Sequence, residues 1–232
     1  MKLISRAAAL SIAATALFTL AGTARADDSQ LRITEWMYKS ADIPSDGKGE
    51  FIELTNIGTT SMDLTGWSQD DSTGHPGAHS MSSFGVIAAG ESVVLTESDP
   101  DAFRATWHLD ASVKVISYGG NDNLGSSDTI NIYNASNQVV DSLVYGNLGP
   151  KTSGVSGRPD SLASLGAPGS GPALWVKSTV GDADHAVMAT DGSIGSPGYT
   201  SLVSAVPEPS GIALALAGLG MLAFSARRKK NG

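Results

Sequence analysis

Glu35 and Glu53 stand on neighbouring candidate strands, and a pair of suitably spaced carboxyl groups is the equipment of glycosidic-bond hydrolysis. Strand alternation sets Glu35 on a face with Ile33 and Met37, and Glu53 on a face with Phe51 and Thr55. Each is therefore expected to be half-buried and hydrogen-bonded to backbone, a structural carboxylate. The alternative is a secreted hydrolase that uses both.

The metal candidates are weaker in pattern. His75 and His79 have the four-residue spacing of some ligand pairs, but Pro76 and Gly77 between them forbid the helix that would align the rings. Asp182, Asp184 and His185, with Asp191 farther on, offer oxygens and one nitrogen, and a solvated turn explains them equally well. Calcium is the ion best suited to such a set, because Asp70-Asp71-Ser72 and Asn121-Asp122-Asn123 add hard oxygens; no EF-hand loop pattern accompanies them. No cofactor is assigned, and a calcium-dependent interaction module stands as a further alternative.

Nucleophilic chemistry finds little footing. Ser45 precedes Lys48 by three residues, but it lies in Pro44-Ser45-Asp46-Gly47, a turn signal and not the start of a helix. No Gly-x-Ser-x-Gly elbow, phosphate-cradling loop or dinucleotide fingerprint is present, and the absence of cysteine excludes thiolate and redox chemistry. Trp36, Trp67, Trp107 and Trp175 could stack on sugars, but their apolar neighbours favour core packing. Asn134-Ala135-Ser136 fits a glycosylation sequon and is discounted. No catalytic or metal residue is assigned, and the expectation is a non-enzyme.

The elements that must carry these residues read as β. No long stretch repeats apolar residues at helical spacing; short β-branched and aromatic runs alternate with Gly, Asn, Asp and Ser clusters. Strands are expected at 31–38, 50–56, 61–68, 91–97, 113–117, 129–134 and 139–145, with a late one around 174–177, which predicts an antiparallel β-sandwich. Asp99-Pro100 before Ala102, Phe103 and Trp107 predicts an N-capped helix of one or two turns. A hairpin is expected across 134–138, and a long loop across the Gly/Pro/Ser-rich stretch 149–171.

Both ends differ from this middle. Lys2 and Arg6 precede an apolar run at 7–20, and Ala24 and Ala26 supply the small residues a signal peptidase reads, so residues 1–26 are expected to be a cleaved signal peptide. Val206 leads into Pro207-Glu208-Pro209, then an uncharged segment at 210–226, then Arg227, Arg228, Lys229 and Lys230. Seventeen residues rise about 25 Å as a helix, enough to cross a ~30 Å hydrocarbon layer with snorkelling by the basic flank. The basic cluster at 227–232 would stay cytoplasmic as the membrane stop, leaving the domain, 27–202, outside and 203–209 as a linker. Residues 27–204 carry 22 acidic against 8 basic side chains, a formal charge of −14, which argues against nucleic acid as a partner.

Two family resemblances rest on these residues. Val-Pro-Glu-Pro, a short weakly apolar segment and a terminal basic cluster resemble the PEP-CTERM sorting signal of Gram-negative bacteria. That resemblance implies transient membrane anchoring, removal of the tail near Pro207-Glu208-Pro209 by an exosortase, and passage to the cell surface or extracellular matrix. Ile33-Thr34-Glu35, the run from Gly49 to Asn56, Asp63-Leu64-Thr65-Gly66-Trp67, Asp128 to Tyr133, Val140 to Gly146, Trp175 and Gly195-Ser196-Pro197-Gly198 together resemble the lamin tail domain over roughly 31–199. This implies an immunoglobulin-like sandwich. The combined expectation is an exported adhesive or structural module that meets envelope polysaccharide or other surface proteins.

Overall fold

Leu31–Met37 (β1), Phe51–Asn56 (β2) and Ser92–Thr96 (β7) are buried along their whole length, so the sheet they share must be covered on both faces. They form the centre of a six-stranded sheet completed by Lys114–Ser117 (β8), Gly157–Arg158 (β11) and Val176–Lys177 (β12), in the order β12-β11-β1-β2-β7-β8. The computed structural model describes residues 27–42, 49–119, 124–146 and 148–204. The expected signal peptide with Ala24 and Ala26, Ser45 and Lys48, Asn121-Asp122-Asn123, the Pro207-Glu208-Pro209 motif, the apolar segment and the basic cluster all lie outside the described residues. Among the described residues no helix is long and apolar enough to cross a membrane.

A second sheet has the order β10-β9-β4-β5, from Val139–Tyr145 (β10), Asp128–Tyr133 (β9), Ser68–Asp70 (β4) and His79–Ser80 (β5). The two sheets close over one apolar core. Leu31, Ile33, Trp36, Ile52, Leu54, Val93 and Leu95 meet Trp67, Ile130, Ile132, Leu143 and Tyr145 there. Two-stranded ladders, Met62–Asp63 (β3) with Val86–Ile87 (β6) and Val187–Met188 (β13) with Ile194–Gly195 (β14), complete an all-β architecture.

The antiparallel expectation needs one correction, because β7 and β8 pair in parallel. Pro100–Trp107 (α1) makes this possible by carrying the chain from the end of β7 back towards its start. Its sequence signals act as expected: the Asp99 carboxylate accepts from the Asp101 and Ala102 amides at 3.0 Å, and His108 ends the helix in a left-handed conformation. Phe103 and Trp107 pack edge-on against Phe51, ring centroids 5.7 Å apart in each pair, as a second core with Met37, Val94, Val115 and Ala189.

Three other expectations shift. The strand expected at 61–68 breaks into β3 and β4, because Gly66 takes φ +80° and the Trp67 amide closes a turn onto the Leu64 carbonyl. A bulge at Thr34 interrupts the alternation of β1: Ile33 pairs with Leu54, but Glu35 pairs with Glu53. Ile33 therefore faces the intersheet core, not the face of Glu35 and Met37. The stretch expected as a plain loop at 149–171 holds β11 and a one-turn helix, Leu162–Leu165 (α2), whose Ser161 and Ser164 form a reciprocal cap.

β11 can lie beside β1 because of a glycine. A Cβ on Gly157 would lie 2.1 Å from Cζ3 of Trp36, a side chain only 1% exposed and wedged between Tyr145 and Trp175. Gly157→Ala is expected to cost about 1–3 kcal/mol or more by overpacking, lowering the thermal midpoint by about 2–4 °C per kcal/mol. A midpoint within a degree of the native one in differential scanning calorimetry would contradict this packing.

Candidate functional site

The bulge at Thr34 and the unbroken alternation of β2 bring Glu35 and Glu53 opposite one another on the outer face of the six-stranded sheet. The expected half-burial is exceeded: Glu35 is 1% exposed and Glu53 0%. The chain after β10 folds back over this face and supplies all the donors but Thr34. Glu35 accepts from the Ser196 amide at 2.9 Å and the Ser196 hydroxyl at 3.1 Å, from the Ser178 hydroxyl at 3.3 Å, and from the Ser156 hydroxyl. Glu53 accepts from the Thr34 hydroxyl at 2.6 Å and from the Gly198 amide at 2.8 Å.

Every one of these donors is neutral. Burial pushes both carboxyls above the ordinary glutamate range, and the hydrogen bonds from Ser156 and Ser196 only partly offset this at Glu35. At Glu53 the facing Glu35 charge adds to the burial effect. A chain of hydroxyls leads away from the pair: Thr34 to Thr55 at 2.7 Å, then Thr55 to Ser92 at 2.7 Å. Ser92, 8% exposed, brings that chain towards solvent.

Sealed in this way, the pair has the chemistry of a proton-holding structural element. Hydrolysis requires the acid to reach a leaving-group oxygen and the second carboxylate to reach a sugar carbon or a water. With 1% and 0% of their surface exposed, neither side chain presents an oxygen to a bound glycan.

The aspartates are engaged too. Arg158 lies in the covering segment and donates to Asp182 through Nε at 3.0 Å and Nη2 at 2.9 Å, and to Asp184 through Nη1 at 3.2 Å. Asp182 also takes the amides of Thr179, Asp184 and Ala186. Burial works against its charge, but the Thr179 and Ala186 amides together with Arg158 hold its carboxyl below the usual range. Asp184 accepts from the Ser201 amide at 2.7 Å. His185 turns away to stack on Tyr199, and Asp191 caps the Ser193 amide while lining a cavity of about 350 Å³ with Asp42, Glu97, Asp99 and Phe103.

The remaining candidates are placed as follows. Asp70 accepts from the Thr73 hydroxyl at 2.9 Å and from the His75 amide, and Asp71 from the Thr73 amide at 2.7 Å, so these oxygens close their own loop. His79 lies in β5 against Tyr118, and His75 is exposed. Among the described residues no group of three or more His, Asp or Glu side chains is arranged to hold a metal ion. All four tryptophans are buried, as their apolar neighbours suggested. Asn134 caps the β9–β10 turn through the Ser136 and Gln138 amides, and its amide nitrogen donates to Asp28.

Two buried features had no signal in the sequence pattern. Asp141, at a bulge in β10, accepts from Arg32 Nε at 3.0 Å and the Ile33 amide at 2.9 Å, tying the two sheets together at one edge. Glu50 is pushed up to about 8 by burial, partly offset by the Leu124 amide at 2.5 Å and reinforced by the charge of Glu97.

The all-β architecture agrees with the family comparison. The chain belongs to the lamin tail domain family, whose model matches residues 24–147, and it carries a PEP-CTERM protein-sorting motif matched over residues 205–229. That motif implies an exported chain that is membrane-anchored as a precursor and processed by an exosortase. No curated protein matches the chain. The fold continues beyond the family match, since Ser156, Ser178, Ser196 and Gly198 all come after residue 147.

The sign of the pH dependence follows from the raised carboxyls. Their stabilisation is fully present below the unfolded glutamate value of about 4.3 and is lost as pH rises through the folded values. The loss is on the order of 1.4 kcal/mol for each pH unit separating folded from unfolded values. Glu53→Gln, which stays neutral and can still accept from Gly198, is expected to melt higher than the native protein at about pH 9 and to differ little at about pH 5. Parallel melting curves for variant and native protein across that range would contradict the pairing.

Proposed function

We propose that this chain is delivered to the outer cell surface or extracellular matrix of a Gram-negative bacterium, where its sandwich acts as a non-catalytic adhesive or structural module. The single observation that carries this reading is the conjunction of a sorting motif with a carboxyl pair sealed beneath the chain's own C-terminal segments. Export needs a signal at the N-terminus, which the 1–26 segment supplies by its pattern of Lys2, Arg6, an apolar run, Ala24 and Ala26. The apolar 210–226 segment holds the precursor in the membrane, with Arg227, Arg228, Lys229 and Lys230 as its stop. Cutting near Glu208 frees the domain. An immunoglobulin-like sandwich of net acidic charge presents a soluble surface on which envelope polysaccharide or neighbouring surface proteins are the partners in reach.

Two measurements test this. Mass spectrometry of the surface-released protein is expected to find a C-terminus near Glu208 and no peptide containing residues 227–230; a released form that keeps those residues would overturn the processing. Turnover screens of the purified protein on glycans and esters are expected to stay at background. A robust turnover abolished by Glu35→Gln or Glu53→Gln would replace the binding-module reading with a hydrolase.

A further inference from the structure

The segment that closes over the outer face ends the fold, and its attachment is unusual. From β14 onward it is held to the sheet by Ser196, through amide and hydroxyl on Glu35, and by the Gly198 amide on Glu53. Pro197, between these two anchors, has no amide to offer. The two carboxyls occupy directly paired positions on β1 and β2. Two like charges facing each other in a dry site cannot both ionise without a cation or a rearrangement that lets water in.

Among the described residues no cation is paired with either glutamate. Around the pair, β1 and β2 contribute the two glutamates and Arg32, which is committed to Asp141 and the Gly166 carbonyl, and β7 contributes uncharged Ser92 and Thr96. Arg158, on β11, is committed to Asp182, Asp184 and the Pro159 carbonyl. Asp184 faces the pair as a third acid and raises both carboxyls further. On α1, Arg104 is turned to Asp101 and the Val113 carbonyl, while Trp107 closes the site with its ring. On the segment itself Tyr199 is the titratable side chain, and it stacks on His185 at 5.1 Å.

We propose that Glu35 and Glu53 form a proton-dependent latch: while at least one carboxyl is protonated the segment 195–199 is closed onto the sheet, and when both ionise it opens. The hydroxyl chain from Thr34 through Thr55 to Ser92 gives the buried pair a route for proton exchange without prior unfolding. Asp184, paired with Arg158, holds the Ser201 amide independently of the two glutamates, so the opening is a local loop and not loss of the chain end. An exported domain meets the pH of its surroundings with no cytoplasmic buffer between, and this latch would make the covering segment respond to it. The inference holds whatever the sandwich binds.

Hydrogen exchange of the full-length protein in detergent, corrected for intrinsic rates, reads the latch directly. Protection of the Ser196 and Gly198 amides is expected to fall about tenfold or more between about pH 6 and about pH 9, while the β2 amides of Ile52 and Leu54 keep theirs. In Glu53→Gln the fall is expected to vanish, and in His185→Gln to persist. Three results would overturn the latch: pH-independent protection at Ser196 and Gly198, a parallel loss at Ile52 and Leu54, or disappearance of the effect in His185→Gln. The native profile decides the question by itself if Glu53→Gln fails to fold.

Discussion

Two glutamates buried face to face on the central sheet impose the constraint from which much of this structure follows. A carboxyl pair removed from water must be given hydrogen bonds, and without a neighbouring cation it must also keep a proton. Here the Thr34 hydroxyl serves Glu53, and the other donors are hydroxyls and backbone amides from Ser156, Ser178, Ser196 and Gly198, all distant in sequence from Glu35 and Glu53. The chain after β10 is therefore required by the sheet. Its richness in serine and glycine, which reads as loop composition, is what lets backbone and small hydroxyls approach two carboxyls closely.

The same constraint explains how the central strands come to be buried on both faces in a largely antiparallel sheet. One face packs into the intersheet core, as expected of a sandwich. The other divides into an apolar half under α1, around Phe51, Phe103 and Trp107, and a polar half under the C-terminal segments. The bulge at Thr34 aligns the polar half, because it turns Ile33 to the core while leaving Thr34, Glu35 and Glu53 in one network. Arg158 then joins the covering segment to its own turn through Asp182 and Asp184, so that the cover is internally braced as well as attached.

Legibility in the sequence followed length and locality. β10 agrees with its expected bounds, and β1, β2, β7, β8 and β9 differ from theirs by a residue or two at their ends, because each is a run of β-branched or aromatic residues long enough to show a period. The helix was legible through Asp99 and Pro100, whose capping roles act within a few residues. The two-residue strands β5, β6, β11, β13 and β14 carry no period at all, and their pairing is decided by distant partners such as Trp36 for Gly157. Ile33 was assigned to the wrong face for a related reason: a bulge is a property of the pair of strands, and β1 alone gives no sign of it. Of the candidate site, the meeting of Glu35 and Glu53 was legible from adjacent strands, whereas their complete burial was not, since the residues that bury them lie more than 120 positions away.

The end of the fold and the start of the sorting motif are also physically related. Ser201 is the last residue bound to a buried carboxylate, Leu202 packs against the main core, and the motif match begins at residue 205. The way Asp184, Glu35 and Glu53 hold 195–201 therefore fixes the path of the last described residues over the sheet.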